Sequence, residues 1–295
     1  IAQNSTIENL AHSGSSRLDI NNAKFLTVSN AFEIPQGKSM ELLGSGEGTL
    51  SLNNKLTLSG TLKVNASNDI LEGGTLSLNG GTLEISKDAG ISSTVLNDAS
   101  SELIISSGKS LTFSGGNLNV GSHTLSIGGA GTFSNATGSP LVLDVADSIL
   151  NLTDNGTISG PVKLESGTLK STGSPTVSGA LTQYGDSTIE IAETKTLTYE
   201  GGAIEIGASA LSIIGGGIFD NNGSPLKLNN AASQLILSRI TVDYIRATAD
   251  SLGIVVDNTS TVTNFTVGHV TPVSISPNQS FNGLIEVYSN SNLQL

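Results

Sequence analysis

The chain reads as an all-β protein: a single-stranded parallel β-helix, or β-solenoid, with about three strands per coil. Three observations predict it. Apolar residues come in pairs two positions apart, the spacing of a strand with one buried face. The pairs recur every six to nine residues, with Gly, Asn or Ser between them. A long stretch also returns in tandem about 86 residues later. KSLTFSGGNLNVGSHTLSIGGAGTF, from Lys109 to Phe133, becomes KTLTYEGGAIEIGASALSIIGGGIF, from Lys195 to Phe219. An in-phase repeat of this length suits stacked coils. It does not suit an antiparallel β-sandwich, the other architecture that short, evenly spaced strands suggest.

The elements follow in order. Residues 1–17 read as a cap or leader. Ser5-Thr6-Ile7-Glu8 fits a capping box, and with Leu10, Ala11 and Gly14 it predicts a short helix covering the first coil. Residues 18–240 read as the regular β-helix. Its inward pairs begin with Leu18/Ile20, Leu26/Val28, Phe32/Ile34 and Met40/Leu42, and continue through Leu111/Phe113, Leu125/Ile127 and Leu150/Leu152. Twelve such segments between Leu76 and Ile158 make four coils of roughly 21–22 residues, and the whole chain about 13 coils. Gly48, Gly60, Gly74 and Gly81 each stand just before a Thr-Leu strand start, where glycine can supply the positive φ of a sharp corner. Phe133 and Phe219 occupy equivalent positions and read as matched core plugs.

Residues 241–295 read as less regular coils. Apolar segments persist there at Ile254–Val256, Phe265/Val267, Val273/Ile275 and Leu284–Val287. The final NSNLQL continues the alternation at Leu293 and Leu295 with no charge, Pro or Gly. Such an edge invites strand addition, so the chain is expected to dock head to tail on a second copy or to belong to a longer chain.

Composition narrows the function classes. Charged residues are 13% and the net charge is −12, a balance that opposes nucleic-acid binding and docking on anionic lipid. Cys and Trp are absent, aromatics are 4%, and Gly accounts for 35 of 295 residues. This is the composition of many small aliphatic layers with solvated Thr, Asn and Ser faces, and it suits an extracellular or cell-surface location. No run approaches a membrane helix, and the start at Ile1 carries no signal-peptide pattern, so a leader was removed or the chain is a piece of a longer one.

GSGEGTLSLNNKLTLSGTLKVN, from Gly44 to Asn65, and EGGTLSLNGGTLEIS, from Glu72 to Ser86, resemble the Gly-Thr-Leu-x-Leu repeats of bacterial surface β-helices. These are the autotransporter passenger domains and the filamentous-haemagglutinin-like adhesins. The resemblance covers roughly residues 18–240. It implies an exported rod that displays or forms an adhesive surface, with no catalytic residue in the repeat to carry over.

Chemistry is sparse. His12, His123 and His269 are far apart, and His123 aligns with Ser209 in the duplicate, which marks it as a solvated strand-face or turn residue. No His-Glu-x-x-His, phosphate-binding loop or zinc spacing is present, and a Ser-His-Asp arrangement, which forms only in space, has no signature among so many Ser residues. Gly-rich IGGAGTF lacks the tandem Asp of a calcium roll and leaves Asp220 as an isolated loop acid. A flat ice-binding Thr ladder is not evident among the residues between the inward pairs, which are as mixed as Ser51, Lys63, Glu84 and Thr112. The one mixed cluster that could form a ligand surface is Asp243, Tyr244, Arg246 and Asp250, whose ordinary reading is a salt-bridged surface loop. No metal or cofactor is expected.

The first reading is therefore a non-enzymatic extracellular structural or adhesive protein. It would self-assemble or form part of a longer chain, with a surface glycan or another host or cell-surface ligand as partner. The alternatives are a carbohydrate-active β-helix, either lyase, hydrolase or binding module, and a viral tail or fibre protein.

Overall fold

A computed structural model describes residues 1–21, 23–44, 48–247, 253–256, 260–267 and 284–287. All the regular structure among them is β-strand, and the strands stack in parallel as a solenoid of about 11 turns. Several coils exceed the expected 21–22 residues. In register, Leu62 pairs with Leu83, Leu83 with Leu103 and Leu103 with Ile127, so successive coils take 21, 20 and 24 residues. Corner loops of variable length absorb the difference, because only the strand segments must keep register.

The chain divides into two compact units: Ile1–Val142 with Asp154–Pro161, and Leu143–Thr153 with Val162–Leu295. Three faces build the first unit. Face A starts at the strands Ser5–Ile7 and Phe25–Val28, face B at Ser16–Asp19 and Ser39–Leu43, and face C at Phe32–Ile34 and Lys55–Leu58. Inward residues form ladders: Leu26–Leu50–Leu71 on face A, Phe32–Leu56–Leu76–Val95 on face C, and Met40–Leu62–Leu83–Leu103 on face B. All these side chains are buried. Each full aliphatic burial contributes about 1.5–3 kcal/mol, so repeated layers replace one large aromatic core.

The duplication is visible within each unit separately. In the first, Leu111 pairs with Phe133, and the Phe113 and Phe133 rings stack at 6.4 Å. In the second, Leu197 pairs with Phe219, and Tyr199 stacks on Phe219 at 6.2 Å. Phe133 and Phe219 are core plugs, as their alignment suggests. The Tyr199 hydroxyl accepts the Leu181 N–H at 3.1 Å, and burial pushes the phenol above its usual pKa.

Two expectations are corrected. The capping-box segment is no helix: Ser5–Ile7 is a strand, with Ser5 paired to Leu26 and Ile7 to Val28. The neighbouring parallel strand supplies ladder bonds that outweigh a local helix start, and Ser29 and Asn30 donate to the Ile7 and Glu8 carbonyls. The glycines before the strands are also needed for a different reason. Gly74 alone among the four has positive φ. A Cβ on Gly48 would stand 2.3 Å from the Ile20 carbonyl oxygen, and one on Gly60 2.2 Å from that of Pro35. Close approach of the preceding coil, rather than corner dihedrals, excludes a side chain there.

Asparagines hold the bends. Asn221, fully buried, donates to the Ser224 and Tyr244 carbonyls and accepts the Tyr244 N–H at 3.0 Å. Its amide thus stands in for a strand peptide. The equivalent Asn135 donates to Ser139 O at 3.0 Å and Pro161 O at 2.8 Å, but its Oδ1 has no partner. The reason is local: the residue in Tyr244's place is Pro161, which has no N–H.

Candidate functional site

The residues singled out by sequence fall on a strand, not a loop. Asp243, Tyr244 and Arg246 belong to Thr241–Ala247, a seven-residue strand that pairs at its start with Ile218–Asp220 and at its end with Leu226–Leu228. A strand spanning two shorter ones needs a bridge at their junction, and Asn221 provides it. Asp250 lies outside the described residues.

Among the described residues of the cluster, Asp243 and Arg246 do not pair with each other. The Asp243 carboxylate accepts the Gly223 N–H at 2.9 Å through one oxygen and the Asn264 amide at 3.1 Å through the other. It therefore fastens a corner to the next coil. Tyr244 accepts the Thr266 hydroxyl at 3.2 Å. Arg246 is exposed, between Lys227 and Thr266 in the ladder, and makes no ion pair with Asp243. Lys227 instead pairs with Glu205 at 2.8 Å. Asp220 stands one step beyond the Phe219–Val242 pair, on the strand beside Asp243, and accepts the Asn222 N–H at 3.0 Å, so both acids bond to the backbone of the same corner.

A second cluster was not legible in the sequence. On face C, Lys55, Ser77 and Asp98 come from three successive coils. The Asp98 carboxylate accepts the Ser77 hydroxyl at 2.5 Å and pairs with the Lys55 ammonium at 3.1 Å. His123, half-buried in the bend before the next strand, adds favourable charge. The Ser77 hydrogen bond, opposed by partial burial and aided by Lys55, holds the Asp98 carboxyl below its ordinary range. The group contains Ser, His and Asp, yet the wiring is not that of a nucleophile. Ser77 is fully buried and donates directly to the Asp98 carboxylate, with no imidazole between the two. Beside it the ladder slips between Leu78 and Asn79, so the contact pins an irregular strand.

Face B carries alternating charge. Arg17, Glu41, Lys63 and Glu84 succeed one another in register, with ion pairs Arg17–Glu41 at 2.9 Å and Lys63–Glu84 at 3.1 Å. Exposed pairs of this kind contribute about 0–1 kcal/mol each and mainly oppose slippage of register. In the second unit Lys163 lies 5.9 Å from the ring of exposed Tyr184. Tyr184 is the duplicate of Asp98, and Lys163 of Ser77, so the chemistry at these positions differs between the two copies. Comparison with known proteins finds no matching family model, curated protein or solved structure.

Proposed function

We propose that the chain is a non-enzymatic structural or adhesive protein displayed outside the cell. The observation that carries this reading is the pattern of retention between the two copies of the repeat. Residues that build the coil recur: Gly115/Gly201, Gly129/Gly215, Phe133/Phe219 and Asn135/Asn221. Residues that could do chemistry do not. Ser77, Asp98 and His123 give way to Lys163, Tyr184 and Ser209, and Glu84 and Glu102 to Lys170 and Thr188. Lys109/Lys195 recurs, and its role in the coil is its backbone carbonyl, which accepts Thr132 N–H in one copy and Ile218 N–H in the other.

A duplicated scaffold with freely varying outer residues suits a protein whose working part is extended surface. The low share of charged residues, 13%, and the Ser-, Thr- and Asn-rich composition support an extracellular setting. Display of the chain on a non-adherent bacterium tests the reading. Attachment to host or neighbouring cells is expected, with no turnover of common polysaccharides by the purified chain. Polysaccharide cleavage abolished by Asp243→Asn would replace this reading with the carbohydrate-active one.

A further inference from the structure

Asparagine followed by glycine is the pair most prone to spontaneous deamidation, because the unhindered glycine nitrogen can attack the asparagine side chain. The pair occurs four times, at Asn79-Gly80, Asn155-Gly156, Asn222-Gly223 and Asn282-Gly283. The last lies outside the described residues, and the other three asparagines are all exposed. What separates them is the nucleophile. The Gly80 N–H donates to Ser101 Oγ at 3.0 Å, and the Gly223 N–H donates to the Asp243 carboxylate at 2.9 Å. The Gly156 N–H makes no hydrogen bond among the described residues.

Local backbone sharpens the contrast. Asn222 has a φ of 46° and Gly223 of 71°, and the Ser224 N–H donates to Asn221 O at 2.7 Å. These are the signs and the hydrogen bond of a type I′ turn, which holds the Asn222 carboxamide away from the nitrogen that would attack it. Asn79 closes the strand Thr75–Asn79, and its amide donates to Ser59 Oγ at 3.1 Å. Asn155 stands in a bend just before the strand Thr157–Ile158, outside the ladders. Packing fixes glycine after it: a Cβ on Gly156 would lie 2.8 Å from the Gly131 carbonyl oxygen. The coil thus sets the least hindered residue next to an exposed asparagine.

We propose that Asn155 is a modification site, a residue that water converts without an enzyme to aspartate and isoaspartate. The Gly156 nitrogen, on losing its proton to solvent base, attacks Asn155 Cγ. The N–Cγ bond forms, the Cγ–Nδ2 bond breaks, and ammonia leaves with that proton. Water then opens the resulting succinimide. Cleavage of its N–Cγ bond gives aspartate. Cleavage of the bond between the Asn155 carbonyl carbon and the Gly156 nitrogen gives isoaspartate. Nothing is oxidised or reduced. Either product adds a negative charge beside Asp154, which is also exposed, to a chain already at −12. Isoaspartate also lengthens the backbone by a methylene just before Thr157, whose N–H donates to Gly131 O at 2.9 Å. The start of that strand is then out of step with Thr132, its partner across the ladder.

The test is incubation of the folded full chain at mildly alkaline pH, followed by digestion in acid and mass spectrometry of each Asn-Gly peptide. Asn155 should convert about ten-fold faster than Asn79 or Asn222, since freeing a bonded nitrogen costs those sites about 1.4 kcal/mol. Isoaspartate at Asn155, read by enzymatic methyl transfer to its α-carboxylate, should accompany aspartate. In urea, where sequence alone acts, the three sites should convert at similar rates. Ser101→Ala releases the Gly80 nitrogen and should raise conversion at Asn79 several-fold, with a thermal melt to show that the variant is folded. Asn79 or Asn222 converting as fast as Asn155 in the folded chain overturns the proposal, as does an Asn155 that stays intact while the urea sample converts. A folded Ser101→Ala variant whose Asn79 rate is unchanged overturns the assignment of the difference to the glycine nitrogen.

Discussion

Leu125 and Thr112 state the logic of the coil at the scale of single residues. Leu125 is fully buried and Thr112 faces outward on its strand. Leu125→Asp places an unpaired carboxylate in an aliphatic ladder and is expected to cost more than about 4 kcal/mol. Thr112→Asp should change stability by less than about 0.5 kcal/mol. Thermal melts of the pair decide it, and a loss from Thr112→Asp as large as that from Leu125→Asp would overturn the inward–outward assignment. The bend asparagines give a finer contrast. Asn221→Ala removes three hydrogen bonds and Asn135→Ala two, so the first should be more destabilising by about 1 kcal/mol in denaturant titration. Asp98 makes stability depend on pH. Its folded pKa is lowered, so its contribution is complete above the ordinary carboxylate pKa of about 4. It is lost as pH falls through the folded value. Asp98→Asn should lower the melting temperature at neutral pH, and the gap should close in stronger acid.

At the scale of elements, glycine sets where one coil may pass over another. Gly129 and Gly215 have positive φ, and a Cβ on either would lie 2.0 or 1.9 Å from the carbonyl oxygen of Ile105 or Ile191. Gly116 also has positive φ but meets nothing within 4 Å. Gly129→Ala should therefore cost at least about 2 kcal/mol more than Gly116→Ala, a difference that paired urea titrations can measure. The strands themselves were legible because inward Leu, Ile and Val keep a period of two, and Leu111, Phe113, Leu125 and Ile127 are all buried as that period requires. The contacts between coils were not. Asp98 meets Ser77 and Lys55 only through coil lengths and a register slip that the pattern does not encode. The capping motif at Ser5 was misleading because a local signal competes with the edge of a neighbouring strand. The partners of Asp243 could not be read either, since the use of both carboxylate oxygens by Gly223 and Asn264 depends on the facing coils.

For the whole molecule, the repeat is a unit of construction. Excising residues 110–195 joins Lys109 to Thr196, which stands in the place of Ser110. Every inward position after the junction then keeps its periodicity. The shortened chain should fold cooperatively with a smaller urea m-value, because less surface is exposed on unfolding. An excision shifted by half a coil, residues 121–206, preserves the same phase and should behave alike, whereas removal of 80 residues should give insoluble material. The expected docking at residues 289–295 lies outside the described residues.

The parallel register has a further consequence, for how the chain reaches its native state. Strands pair with partners a single turn away, as Leu169 does with Ile189 and Ile189 with Ile213, separations of 20 and 24 residues in a chain of 295. Relative contact order on this basis is about 0.07, a value typical of helical bundles and well below that of most all-β proteins. Loop closure is short at every step, and each finished turn is the template for the next. Such a chain does not need its two ends present together in order to fold. It can wind progressively as it emerges from a pore or a ribosome, and with no cysteine to oxidise, the growing edge alone directs assembly.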